Sequence, residues 1–296
     1  MQVHEAGFLG RVGKMVAPPL SRLVSGPRCR KSIRLLEIYL QILQGRGAGT
    51  GWDLHGEIIA AQHFLRGVDS PVIFDVGANF GQWTTCLQAA LGTSAGSFFM
   101  FEPQSACQPT LTRMSDSRRV LIPAAVGDKP GSATIFSDTP GSGVASVHMR
   151  RDSYFGDLTA YQDLVPVTTI DREVKKRRID HIDLLKLDIE GAELAALRGA
   201  STSLEERRIA TIAFEFGSAN VYSRIFFRDF WDLLDPLGYR LWRICPGGTL
   251  LALTEYVEEL EHFRGVSNYI ASLNSFERGS VRRQPTQDGN ADPIAA

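Results

Sequence analysis

Apolar residues recur at helical intervals near the start of the chain, then gather into short runs separated by helical stretches, and finally give way to a polar tail. In the lead-in, Ile33, Leu36, Leu40 and Leu43 fall on one helical face until glycines between positions 45 and 51 break the pattern. The lead-in, 1–52, is expected to be a helical cap on the main domain. A second helix at 54–66 feeds the apolar run Pro71-Val72-Ile73-Phe74, whose β-branching suits a buried strand. A glycine turn follows, and Trp83, Cys86, Leu87, Ala90 and Leu91 then share a helical face. Further strands are expected at 97–101 and 120–126, with a helix around 109–114 between them. Such alternation builds a doubly wound, mostly parallel α/β sheet.

The regular period lapses at 131–149, where β-like pieces alternate with Gly and Pro turns; this segment reads as an inserted hairpin or flap. Strands resume at 165–170, 182–187 and 209–216, and a helix at 190–197 is stopped by Gly199. Segments 239–244 and 249–253, joined across Pro246-Gly247-Gly248, are the expected closing antiparallel pair. The main domain is therefore placed at 53–275. Beyond it, 276–296 is rich in Arg, Gln, Asp, Gly and Pro and is expected to be disordered.

Composition narrows the function classes. The 296 residues carry a formal net charge of -1, so no overall basic field points to a nucleic-acid partner. Cys29, Cys86, Cys107 and Cys245 are far apart, which fits neither a disulfide scaffold nor a zinc knuckle. The uncharged stretch 76–101 is interrupted by Gly, Asn, Gln, Ser and Thr, so it is not read as a transmembrane helix. Segment 1–24 has no sustained apolar core, which argues against a secretory signal and makes the cytoplasm the expected compartment.

The sharpest local signal is Asp75-Val76-Gly77-Ala78-Asn79-Phe80-Gly81, set between a strand and a helix. Gly77 and Gly81 let the backbone turn tightly, and Asn79 tolerates left-handed geometry. A ligand lying over Ala78 and this turn would meet free N–H groups at the helix start, with Asp75 able to face an ammonium group or a water. Glu102, at the end of the next strand, has the spacing of an acidic residue that takes two ribose hydroxyls. The turn lacks the pyrophosphate-binding G-x-G-x-x-G of nicotinamide sites, whereas S-adenosylmethionine has no pyrophosphate to bind. The predicted cofactor is therefore S-adenosylmethionine, held by Asp75, Gly77, Ala78, Asn79, Gly81, Glu102 and Val126, the last of these closing the third strand. A non-catalytic S-adenosylmethionine-binding module and a nicotinamide-dependent oxidoreductase are the alternatives.

Three ordered segments, Phe74 to Gly81, Phe101-Glu102-Pro103 and Leu185-Lys186-Leu187-Asp188-Ile189-Glu190-Gly191-Ala192-Glu193, together resemble the signature of the FkbM family of methyltransferases. Val167-Thr168-Thr169-Ile170-Asp171 also resembles that pattern. The resemblance covers roughly 71–216 and implies a class I Rossmann-like methyltransferase fold that commonly methylates hydroxyls of sugars or secondary metabolites. The implied partner is a small-molecule or glycan acceptor.

Asp75, Glu102, Asp188 and Glu215 all fall at predicted strand ends, where open α/β sheets bind ligands. Asp188 follows Lys186 by two residues, so both point to one face of their strand, as a brace or as a catalytic couple. Asp188 and Glu190 are the candidate catalytic residues. Glu193 has a plainer reading, complementing a helix dipole, and His148 in the flap is a rival base whose plainer reading is a solvated loop residue. No histidine spacing suggests a metal site, and none is expected.

Overall fold

The computed structural model describes residues 15–22, 24–49, 54–92, 96–153 and 155–274. Its helices are α1 (Pro27–Leu43), α2 (Leu54–Phe64), α3 (Gln82–Leu91), α4 (Gln108–Met114), α5 (Ile170–Arg177), α6 (Glu193–Arg198), α7 (Ser201–Glu205), α8 (Asn220–Ser223) and α9 (Phe227–Leu234). The strands are β1 (Val72–Val76), β2 (Ser97–Phe101), β3 (Arg119–Ile122), β4 (Ala125–Val126), β5 (Gly131–Ser137), β6 (Tyr161–Thr168), β7 (Ile182–Leu187), β8 (Ile209–Gly217), β9 (Arg240–Cys245), β10 (Thr249–Leu253) and β11 (Val266–Ser272).

Alternate residues of the central strands enter different cores, as a strand buried on both faces requires. Phe74, Val76, Leu185 and Leu187 join one core, with Ile170 and Val174 of α5, Leu194 and Leu197 of α6, and Phe227 and Phe230 of α9. Ile73 and Leu184 face the opposite core with Ile58 and Ala61 of α2 and Trp83 and Leu87 of α3. Helices therefore cover both faces of an eight-stranded sheet of order β10-β9-β11-β8-β7-β1-β2-β3. The pairs from β3 to β8 are parallel, whereas β11 pairs antiparallel to β8 and β9, and β10 antiparallel to β9. The doubly wound reading and the closing pair both hold.

Four local expectations need correction. The expected strand at 120–126 is split at Pro123, which has no N–H for the ladder: β3 belongs to the main sheet, whereas β4 pairs with β6 in a separate sheet of order β4-β6-β5. Segment 131–149 is only partly a flap, since β5 is a full strand of that second sheet and the chain from 138 onward folds back over it. The strand expected at 165–170 is β6 and stops at Thr168; Thr169 caps α5, its hydroxyl accepting from the N–H of Arg172 at 3.1 Å. Strand β11 was not anticipated, although it is buried along its whole length and lies between β8 and β9. The lead-in forms α1 as expected; no residue of α1 is buried, and the chain after it, from Gln44 to Gly49, is hydrogen-bonded to β9 and β11. The expected tail at 276–296 lies outside the described residues.

The sheet is tied to α9 by aromatic packing: Phe214 of β8 stacks on Phe230 with ring centroids 4.8 Å apart and on Tyr269 of β11 at 5.6 Å. Phe214→Ala removes a ring shared by two strands and a helix. It is expected to lower unfolding free energy by about 3–5 kcal/mol, measured by urea denaturation.

Candidate active site

Strand β1 ends at Val76, and the chain turns over Gly77-Ala78-Asn79-Phe80-Gly81 into α3. Gly77, Asn79 and Gly81 all have left-handed φ, at 84°, 47° and 80°. A Cβ on Gly77 would collide with the carbonyl oxygen of Asp188, so only glycine lets this turn lie against the end of β7. On the other side, the N–H groups of Gly77 and Ala78 donate to the carbonyl of Phe101 at 3.0 and 3.1 Å. The turn thus draws together the ends of β1, β2 and β7.

Glu102 follows β2 and is 3% exposed. Its Oε2 accepts from the Asn79 N–H at 2.8 Å and its Oε1 from the Gln104 N–H at 2.9 Å. An ionised carboxylate offers about four acceptor positions, so these bonds orient the group and leave capacity for hydroxyl donors from the cavity it lines. Burial raises its pKa above the ordinary range, and the N–H groups of Gln104 and Asn79 pull it partly back.

Between β1 and β7 lies a buried ionic triad. Asp75 and Lys186 are directly paired in register. Lys186 Nζ donates to Asp75 Oδ1 at 3.1 Å and contacts Asp188 Oδ2 at 3.2 Å, and it sits 5.4 Å from the centroid of the Trp83 ring. Burial works against the charge on Lys186, but the carboxylates of Asp188 and Asp75 outweigh it and raise its pKa. The Thr84 hydroxyl donates to Asp75 Oδ2 at 2.6 Å, so both oxygens of Asp75 have partners within the protein. Only Asp188 of the triad's carboxylates is partly open, with 34% of its side chain exposed.

The cavity at these strand ends has a volume of about 420 Å³, within the usual size for small-molecule sites. Gly77, Ala78, Asn79, Glu102 and Val126 line it together with Glu57, Asp188 and Glu215. Ser142, Ala145 and Val147 from the flap cover it. The cavity shares Glu57, Asp188 and Glu215 with a small recess that Asn268 also lines. There the Asn268 amide donates to Glu57 Oε1 at 2.5 Å, and its own Oδ1 is buried with no partner among the described residues. Burial raises the pKa of Glu215 well above the ordinary range, reinforced by Asp188, Glu190 and Glu57.

The sequence matches the methyltransferase FkbM domain over residues 75–241, more than half of the chain. The chain belongs to the FkbM methyltransferase family. It is 24% identical over 205 residues to the hexuronic acid methyltransferase AglP of Haloferax volcanii, covering 68% of this chain and 77% of that protein. Among solved structures it is similar to methyltransferase FkbM from Methylobacillus flagellatus, at 19% identity and a TM-score of 0.42, covering 72% of this chain and 47% of that one. It is also similar to an S-adenosylmethionine-dependent O-methyltransferase of Thermotoga maritima, at 14% identity and a TM-score of 0.35, covering 76% of this chain and 67% of the other. The fold is the class I methyltransferase fold, and S-adenosylmethionine is the cofactor of this FkbM domain.

Within the FkbM domain, five of the seven expected cofactor residues, Gly77, Ala78, Asn79, Glu102 and Val126, line the cavity, and two do not. Asp75 is completely buried and is used up in bracing Lys186 and Thr84. Gly81 is needed for its backbone: a Cβ there would press on Met114 and Leu111 of α4. Of the two expected catalytic residues, Asp188 reaches the cavity and Glu190 does not. Glu190 is not in a helix either, but in a left-handed turn with φ 54°. Its Oε2 pairs with Arg150 Nη1 at 2.9 Å and its carbonyl accepts from the Ser146 hydroxyl at 2.7 Å, which fastens the flap to the end of β7. Arg150 also donates to the Val144 carbonyl, closing the flap on itself. His148 is half-buried beside this contact and off the cavity wall, its pKa lowered by burial.

Glu57 and Asn268 were not anticipated. Glu57 had a signal, as the single acidic residue of α2, whereas Asn268 depends on the unforeseen β11.

Glu193 accepts from the N–H groups of Gly191 and Ile189, at 3.0 and 3.1 Å, and shapes the turn that presents Asp188. Burial raises its pKa to about 7, against the pull of those backbone bonds. A raised carboxyl pKa means that the folded state holds a proton the unfolded state has released. The native state therefore loses stability as pH climbs from the ordinary value of 4.5 to about 7. Glu193→Gln carries no such charge. Relative to wild type, its melting temperature is expected to rise across that interval and to level off above it, measured by calorimetry in a pH series.

Proposed function

We propose that this FkbM domain transfers a methyl group from S-adenosylmethionine to a hydroxyl of a sugar or glycan. The observation that carries the reading is that one cavity is lined both by Glu102 and the Gly77 to Asn79 turn and by Asp188, Glu57 and Glu215. The first group suits an adenosine ribose. The second presents carboxyl groups that exchange hydrogen bonds with an acceptor rich in hydroxyls. The relative named as a hexuronic acid methyltransferase supports the same acceptor class.

When bound, S-adenosylmethionine supplies a methyl group already activated on a sulfonium. What this chain must do is align a hydroxyl and remove its proton. Alignment in a closed site supplies roughly 7–11 kcal/mol, whereas a general base contributes about 10²–10⁴ in rate. The shape of the cavity, held by the Lys186 triad and the Glu190 to Arg150 contact, therefore matters more than the base. Asp188 is the proposed proton acceptor: one oxygen is held by Lys186 and the side chain is open to the cavity. Glu190 is proposed to hold the flap over the acceptor. The cytoplasm is the proposed compartment, since all four cysteines are unpaired and a reducing environment keeps them so.

Two variants test the division of roles. Glu102→Ala removes the ribose acceptors and is expected to weaken S-adenosylmethionine binding by about 1.5–3 kcal/mol in calorimetry. Asp188→Asn keeps the size of the side chain and is expected to lower kcat by about 10²–10⁴ with cofactor affinity nearly unchanged. A near-normal single-turnover rate in folded Asp188→Asn would move the base to another carboxylate of the cavity. The acceptor class is checked by incubating the protein with S-adenosylmethionine and neutral sugars, uronic acids and phenols, and identifying methyl ethers by mass spectrometry. Methylation confined to phenols would overturn the sugar assignment.

A further inference from the structure

Helix α1 is out of keeping with the rest of the molecule. It has 17 residues, and none is buried. Ile33, Leu35, Leu36, Tyr39, Leu40 and Leu43 are each between 46 and 59% exposed. Met15 and Leu20, just before it, are also exposed. An apolar surface of this extent on one element is what an interaction face looks like.

The charge on the same segment selects the partner. Residues 15–43 carry Arg22, Arg28, Arg30, Lys31 and Arg34 against the single acidic Glu37, although the chain as a whole has a formal charge of -1. At 100° per residue, Arg30, Arg34, Glu37 and Gln41 fall in one narrow stripe of α1, and Ile33, Leu36, Leu40 and Leu43 lie along the adjoining face. Basic side chains flanking a leucine-rich face match a surface that is anionic outside and apolar just beneath. With its cluster of basic residues, α1 itself is not a spanning helix, so the fitting geometry lies in the plane of the surface.

We propose that α1 docks the protein on an anionic lipid bilayer. The attachment of α1 to the domain gives the docking a direction. Arg243 Nη1 donates to the Gln44 carbonyl at 3.3 Å, the Gly47 N–H to Ser267 Oγ at 2.9 Å, and the Gly49 N–H to the Val266 carbonyl at 3.0 Å. The end of α1 is thus pinned to β9 and β11, and Gly49 is itself part of the cavity wall. A bilayer held by α1 lies on the side of the domain where the chain enters the active-site cavity.

The test is co-sedimentation of the full chain with vesicles of phosphatidylglycerol and, separately, of phosphatidylcholine. Wild type is expected to pellet with phosphatidylglycerol at low salt, far less at high salt, and little with phosphatidylcholine. Arg30→Glu/Arg34→Glu and Leu36→Ser/Leu40→Ser are each expected to reduce vesicle partitioning by about tenfold or more. Neither pair touches the cavity, so S-adenosylmethionine affinity should remain that of wild type and serves as the control for folding. Wild type that stays in the supernatant with phosphatidylglycerol overturns the proposal without reference to any variant. So does binding that both variants retain. A concentration-dependent dimer without vesicle binding, lost in Leu36→Ser/Leu40→Ser, would also overturn it, by assigning the face to a second copy of the chain.

Discussion

The geometry of the active site depends on one buried cation. Lys186 stands between Asp75 on β1 and Asp188 after β7, and the two strands are in register at the Asp75–Lys186 pair. A buried carboxylate and a buried ammonium each cost several kcal/mol to desolvate, so neither is tolerable here without the other. Their mutual attraction orients the end of β7 and with it Asp188, the one carboxylate of the triad that lines the cavity. Thr84, from the first turn of α3, completes the arrangement by donating to Asp75, which ties the cofactor turn to the same centre. The acidic residue at the end of β1 is thus fully buried, and it meets the cavity wall only through Lys186.

A second buried pair extends this order to the cover of the site. Arg150 is fully buried although it closes a turn-rich insertion, and its partner Glu190 occupies a backbone conformation that costs a non-glycine residue roughly 1–2 kcal/mol. The ion pair and the Ser146 hydrogen bond compensate for that cost and leave the flap seated across the cavity. Glu190, Gly191 and Glu193 therefore form a connector: one end shapes the loop after β7, the other holds the flap. Burial raises the pKa of Glu190 to about 7, despite the opposing charge of Arg150.

Polarity is divided along the cavity in a way that suits two ligands. Glu102 is held by two backbone N–H groups, a rigid arrangement that suits a constant partner such as an adenosine. Glu57, Glu215 and Asn268 come from α2, β8 and β11, elements far apart in the chain, and they meet in the recess beside the cavity. Residues drawn from separate elements can change independently, which is where acceptor selectivity within a family can reside.

What the sequence determined by itself was local. The turn from Asp75 to Gly81, the strand ends at Glu102 and Asp188, and the alternation of strand and helix follow from backbone conformation and hydrophobic period, which neighbouring residues decide. That was enough for the fold class, and for expecting together five residues and Asp188 that the structure places on one cavity wall. Tertiary structure decided everything that depended on partners distant in the chain. Asp75 and Asp188 look alike in sequence, but one is buried by Thr84 and Lys186 while the other is open, a difference set by packing across strands. Glu190 reads as a helix-start acid until Arg150, forty residues away, claims it. Strand β11 and its Asn268 escape notice because a strand inserted between two others is specified by the edges it pairs with, and those are known only once the sheet has formed.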